Sequence, residues 1–161
     1  MILTEVFQAE NISKTATIYL KAPVDIVFPL FGPFEEKKWA DGWNPDLLYP
    51  HQEKVAVGVS FTTEGNRFEG PYTWRINQYD TSSFQIQYFV FTPNRHWTID
   101  IVCSATESNQ TTAQITFTFT GQNPEGNRFN QAALEEMFES NLQDWEKAIN
   151  HYLTTGSTLV V

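Results

Sequence analysis

Apolar and polar positions alternate along most of the chain and then change period near its end. Residues 15–20 alternate and are rich in β-branched side chains, the pattern of a strand with one buried face. Ala22-Pro23 stops that run, and Pro23 suits the first turn of a helix, with Asp25 near its positive end. Val24, Val27, Phe28 and Phe31 recur at helical spacing, which predicts a short amphipathic helix that Pro29 bends or ends early. Gly32-Pro33 punctuates the chain, and residues 34–39 read as a second short helix. Residues 39–50 mix the turn signals Asp41-Gly42 and Asn44-Pro45 with Trp39, Trp43, Leu47, Leu48 and Tyr49, a loop too apolar to be merely solvated.

Five strand signals follow. Residues 54–64 carry Val55, Val57, Val59 and Phe61, with Gly58 as a bulge or a break between two strands. Residues 71–79 set Tyr72, Trp74 and Ile76 against Thr73, Arg75 and Asn77, and residues 84–91 put Phe84, Ile86, Tyr88 and Val90 on one face. Residues 96–105 align Trp97, Ile99, Ile101, Cys103 and Ala105, and residues 112–120 oppose Ala113, Ile115, Phe117 and Phe119 to Gln114 and threonines. One apolar and one polar face predict an antiparallel sheet with a wet side, and short connections make a meander the simplest topology. Residues 130–153 then take the helical period. At about 100° per residue, Leu134, Met137, Phe138, Leu142, Trp145, Ala148, Ile149 and Tyr152 fall within an arc of roughly 140°. Gly156 is placed to end this helix. The expected class is α+β: a curved antiparallel sheet of six or seven strands, two short helices after the first strand, and a long C-terminal helix.

Length and charge narrow the functions. The chain has 161 residues, which fits one domain (1–161, core roughly 14–156) able to bury a core without staples. Aromatic residues make up 15%, so large flat side chains carry much of the burial. The net charge of −9 and the absence of a basic run argue against nucleic acid and against an anionic membrane surface. Cys103 is the one cysteine, which excludes an intrachain disulfide and a thiol metal cluster. The opening Met-Ile-Leu-Thr-Glu-Val lacks the pattern of a signal peptide, and no apolar run approaches the roughly 20 residues that span a bilayer. A cytoplasmic location is the default expectation.

The order strand, two short helices, antiparallel strands, long terminal helix resembles the START-like superfamily, also called SRPBCC, which includes the birch-pollen allergen relatives and the polyketide cyclase/dehydrase group. TATIYLKAPVDIVFPLF resembles its opening strand and first helix through Ala22, Pro23, Val27 and Phe28. Gly58-Val59-Ser60-Phe61, Trp74-Arg75-Ile76 and residues 84–88 resemble its early and central strands, and residues 145–153 its closing helix. The likeness implies a helix-grip fold with a cavity for a hydrophobic ligand between sheet and helix. Fold alone does not assign the activity.

On that basis the candidate ligand-binding residues are Trp39, Trp43, Phe61, Trp74, Ile86, Tyr88, Trp97, Phe117, Phe138, Asn141 and Trp145. The sheet and helix residues among them either interlock as solid core or line a pocket, and the resemblance favours the pocket. Trp39 and Trp43 flank a tight turn, capping the sheet or forming a lid. Asn141 falls inside the apolar arc, about 40° from Trp145, where a buried amide must bond to backbone, water or ligand. His51, His96 and His151 are scattered without metal-ligand spacing, Cys103 alternates inward as a small hydrophobe, and Arg75 and Arg95 are expected outward and solvated. No catalytic constellation, metal site or cofactor motif is found, and Tyr88 is the best acid available. The leading expectation is binding or carriage of a lipid, isoprenoid or aromatic polyketide-like molecule. The alternatives are a cyclase/dehydrase-type enzyme and a partner-binding module like the superfamily's heat-shock-ATPase activators. The tail Leu159-Val160-Val161 is a candidate for joining subunits of a homodimer.

Overall fold

The computed structural model describes residues 6–66 and 68–160. Met1 to Glu5 of the N-terminal reading and Val161 of the tail lie outside them. Seven strands form one antiparallel sheet: β1 (Asn11–Leu20), β2 (Asp46–Tyr49), β3 (Ser60–Thr63), β4 (Tyr72–Asp80), β5 (Gln85–Phe91), β6 (Arg95–Thr106) and β7 (Gln110–Gly121). Their spatial order is β1-β7-β6-β5-β4-β3-β2, a meander whose last strand is flanked by the first. Helix α1 (Val24–Val27) runs into a 3-10 turn at Phe28–Phe31, and a second 3-10 turn spans Glu35–Lys38. Two helices, α2 (Pro124–Ser140) and α3 (Gln143–Thr155), close the chain against the sheet.

Strand register explains the inner face. Alternation of period two sends every second side chain inward, and the pairing aligns those side chains across strands. One row runs Phe61, Trp74, Val90, Trp97, Phe119 and Ile12; the next runs Ile76, Tyr88, Ile99 and Phe117. Burial in β6 alternates without a break from Arg95 to Cys103. This overturns the solvated placement of Arg95. Arg95 has the same parity as Trp97 and is only 4% exposed, because Glu69 neutralises it from β4's side of the sheet at 2.7 Å. A buried guanidinium needs such a partner.

The loop of residues 39–50 contains an unexpected edge strand, β2, paired with β3. Residues 54–59 are not strand; Gly58 adopts φ +93°, a turn that ends the valine run before β3. Phe84 likewise sits in a left-handed turn at φ 57° rather than in β5, with its ring edge-on to Phe28 at 5.8 Å.

The long C-terminal helix is interrupted. Asn141 and Leu142 both take left-handed conformations, φ 50° and 56°, and split it into α2 and α3. Asn tolerates this region, whereas Leu142 is strained there by about 1–2 kcal/mol, opposed by its burial at 5% exposure. The break shifts the phase of the helical wheel, so an arc drawn across it misplaces Phe138 and Asn141, whereas Leu134, Met137 and Leu142 pack inward as expected. Phe138 is 62% exposed, with the Lys14 ammonium 4.1 Å above its ring, and Asn141 is exposed at the break. Phe138 borders β1 only through Lys14, and neither residue lines the cavity. Trp145, Ala148, Ile149 and Tyr152, all on α3, keep their inward positions.

α3 also protects the sheet edge. Glu146 accepts from the Tyr19 amide at 2.7 Å, and Asn150 both accepts from Lys21 N and donates to Tyr19 O. These bonds satisfy polar backbone groups of edge strand β1 that would otherwise be free to pair with another chain.

Candidate functional site

The two inner rows do not interlock fully with α3. A cavity of about 440 Å³ remains, within the size range of small-molecule sites. Its sheet side is formed by Trp74, Tyr88, Trp97, Ile99, Ile101 and Phe117. Across from them stand Trp145 and Ala148 of α3, and Trp39, Ala40 and Trp43 from the turn after the second 3-10 segment. A second hollow of about 260 Å³ continues between sheet and α2, sharing Tyr72, Trp97, Phe117, Asp144 and Trp145 with the first.

Ring-to-ring packing holds these walls. Trp74 stacks on Phe61 at 5.6 Å and meets Trp43 edge-on at 5.3 Å, while Trp145 touches both Trp39 and Phe117. The polar hydrogens of Trp39, Trp43, Trp74 and Tyr88 are turned into the protein. Trp39 donates to Leu30 O and Trp43 to Pro33 O, each at 2.7 Å; Trp74 donates to Thr63 Oγ1 at 2.9 Å. The Tyr88 hydroxyl donates to Phe31 O at 2.6 Å. The Leu30 and Phe31 carbonyls are left over where the first 3-10 turn ends and Pro33 O lies between the two turns, so the aromatic donors stitch that segment onto the sheet.

Seven of the expected residues therefore surround one space: Trp39, Trp43, Trp74, Tyr88, Trp97, Phe117 and Trp145. Phe61 and Ile86, 0% and 2% exposed, pack behind the wall. Phe138 and Asn141 lie outside, for the reason given by the helix break.

The sequence reading missed the site's charge. Glu36 lines the cavity, and its carboxylate accepts no hydrogen bond from any described residue. The residue is half-buried, and desolvation of its carboxylate in the cavity pushes its pKa from 4.5 up to about 8. It sits in the run Glu35-Glu36-Lys37-Lys38, which looks like a solvated helix face. The usable signal was spacing: in a 3-10 turn, positions i and i+3 eclipse, so Glu36 shares a side with Trp39. Its neighbours pair outward, Lys37 with Glu53 at 3.2 Å and Lys38 with Glu35. Asp41 and Asp144 also line the cavity and, being exposed, mark its open end.

Other groups are chemically quiet. Burial raises the Tyr88 phenol well above its ordinary range, helped by Glu36 and Tyr79, and its proton is committed to Phe31 O. The Cys103 thiol is pushed up to about 12 by burial, far from a reactive thiolate. Among the described residues, no group of three or more His, Cys, Asp or Glu is arranged to hold a metal. No described helix is long and apolar enough to cross a membrane.

The C-terminal tail folds back over this site. Thr158 donates to Lys38 O at 2.7 Å, and Leu159 joins the cavity lining, while Val160 is 76% exposed.

Solved structures share this architecture. The chain is similar to a norcoclaurine synthase point mutant from Thalictrum flavum in complex with a transition-state analogue, with a TM-score of 0.69 and 10% identity over 94% of this chain and 99% of that one. It is also similar to the ZhuI aromatase/cyclase from Streptomyces sp. R1128, with a TM-score of 0.64 and 13% identity over 94% and 100%. An uncharacterised protein from Rhizobium leguminosarum gives 0.60 and 16% over 89% and 97%. At such identities the likeness is one of fold. No curated protein sequence matches the chain. Residues 11–146, most of the chain, match the family of polyketide cyclases/dehydrases and lipid-transport proteins, and the chain belongs to that family, within the START-like superfamily.

Proposed function

We propose that this protein binds a small hydrophobic molecule, aromatic or polycyclic in shape, between its sheet and α3. The observation that carries this reading is the aromatic cavity of about 440 Å³. A solid core would have filled it, since interiors pack to crystal-like density with few voids larger than a water. Rigid rings tied down by hydrogen bonds lose little freedom on binding, which favours affinity.

Neutral N-phenyl-1-naphthylamine is a suitable probe. We expect saturable single-site binding with a fluorescence blue shift, and a loss of about tenfold or more in affinity, ~1.4 kcal/mol, when Ala148→Phe fills the cavity from α3. Thermal unfolding of the variant checks that the fold is kept. Equal affinity in a folded Ala148→Phe protein would refute the reading.

Glu36 favours a second reading, a cyclase/dehydrase-type enzyme in the same space. A carboxyl titrating near 8 is suited to exchange protons with a bound substrate at neutral pH. On this reading Glu36 takes a proton from carbon alpha to a carbonyl and returns it elsewhere on the folded chain. Exchange of the central protons of 1-phenyl-1,3-butanedione into deuterated water, followed by NMR, is then faster with the wild-type protein than with Glu36→Gln. Identical rates would discard the enzymatic role.

A further inference from the structure

The charges and donors bordering the cavity are lopsided. Among the described residues its lining includes Glu36, Asp41 and Asp144 and no lysine, arginine or histidine. The hydrogens of Trp39, Trp43, Trp74, Tyr72 and Tyr88 are all engaged by protein acceptors. What faces the space is therefore carboxylate oxygen and aromatic surface and, as donors, the indole N–H groups of Trp97 and Trp145. A ligand that is an anion finds no described cation on the lining to pair with. One that brings positive charge finds both a counter-ion and rings whose faces attract cations.

We propose that the cavity is built for an organic cation, an aryl- or alkylammonium whose charged end pairs with Glu36 while its apolar body lies against Trp39, Trp97 and Trp145. This rests on the binding reading above and gives the ligand's chemical class. The Glu36 carboxylate lines the cavity and has no hydrogen-bond donor among the described residues. Among the described residues, no ion pair or hydrogen bond reaches its carboxylate. On its own turn, Glu35 and Lys38 pair with each other and Lys37 with Glu53. From the sheet it faces Tyr88, with Tyr79 nearby. From the following turn and from α3 come Asp41 and Asp144, both acidic, and Tyr152 of α3 acts on Lys38. The Arg95 guanidinium that borders the adjoining hollow is held by Glu69 at 2.7 Å. An ammonium would supply the missing partner, and the carboxyl would ionise as it binds. The overall charge of −9 draws such a ligand toward the opening at Asp41 and Asp144.

The test compares a permanent cation with its uncharged isostere, benzyltrimethylammonium against neopentylbenzene, each displacing N-phenyl-1-naphthylamine. A permanent cation has no proton of its own, so any pH dependence belongs to the protein. The cation's affinity is expected to rise about tenfold or more from pH 6 to pH 9, across the Glu36 transition at about 8, and the isostere's to stay flat or fall. In Glu36→Gln the cation loses its pH dependence and about tenfold in affinity at pH 9, and the isostere binds as before, which shows that the site is intact. Equal affinities and parallel pH profiles for the two probes would overturn the inference and make Glu36 a neutral donor. If neither probe displaces a dye that itself binds, the inference falls and the cavity reading stands; if the dye fails to bind, both fall.

Discussion

Replacing Arg95 by methionine is expected to cost about 3–5 kcal/mol of stability, among the largest effects of any single change in this protein. The Glu69 side chain is 0% exposed and takes two hydrogen bonds from the guanidinium, at 2.7 and 3.0 Å. Asn66 Nδ2 at 2.8 Å, the Tyr72 hydroxyl at 3.2 Å and the Thr92 hydroxyl at 3.4 Å also donate to it. The guanidinium in turn lies 4.4 Å from the Trp97 ring centre and donates to Asn130 Oδ1 at 3.2 Å. Methionine keeps much of the volume and the contact with Trp97 but leaves Glu69 charged, buried and without its cation. The second variant, Arg95→Met with Glu69→Leu, should recover most of the loss, because a buried pair replaced by apolar groups is often neutral. Urea unfolding of the three proteins measures this. A single-variant loss under about 1 kcal/mol, the scale of a surface pair, would contradict it.

Glu36→Gln is expected to stabilise the unliganded protein increasingly as pH rises. The sign follows from linkage. The folded-state pKa, about 8, lies above the ordinary 4.5, so between these values the folded protein holds a proton that the unfolded chain has released. Stability therefore falls as pH climbs from 4.5 to 8 and levels off above. The full shift corresponds to about 5 kcal/mol as an upper bound, and water entering the cavity lowers it toward about 2. The variant lacks this penalty. Denaturant unfolding at pH 4 and pH 9 should show the variant's advantage over wild type growing by about 2 kcal/mol or more. An advantage that does not change with pH would mean that Glu36 is solvated in the folded protein.

These two residues also show where sequence reasoning stops. The sheet was legible because β5, β6 and β7 alternate over most of their length, and parity names Tyr88, Trp97 and Phe117 as inward. Trp39 and Trp43 were legible as aromatic rings stranded in turn chemistry. Arg95 had the correct parity for burial, but its partner Glu69 is 26 residues away, and a charge is assigned to the surface until its counter-ion is known. Glu36 was hidden by composition: a charged run resembles a solvated face, and only the 3-10 geometry sets it beside Trp39. Phe138 and Asn141 were misplaced because a helical wheel assumes unbroken phase, and the two left-handed residues at 141 and 142 break it. The tail carried no periodic signal at all; Leu159 reaches the cavity through a single side-chain bond from Thr158 to Lys38.

The most direct measurement of the central claim is a crystal of the wild-type protein soaked with 1-bromonaphthalene and recorded at the bromine absorption edge. The account predicts one anomalous peak inside the cavity, in contact with Trp74 or Trp145 and on the sheet side of Ala148. A cavity that excludes the probe, with bromine found only on the outer face beside exposed Phe91, would contradict it.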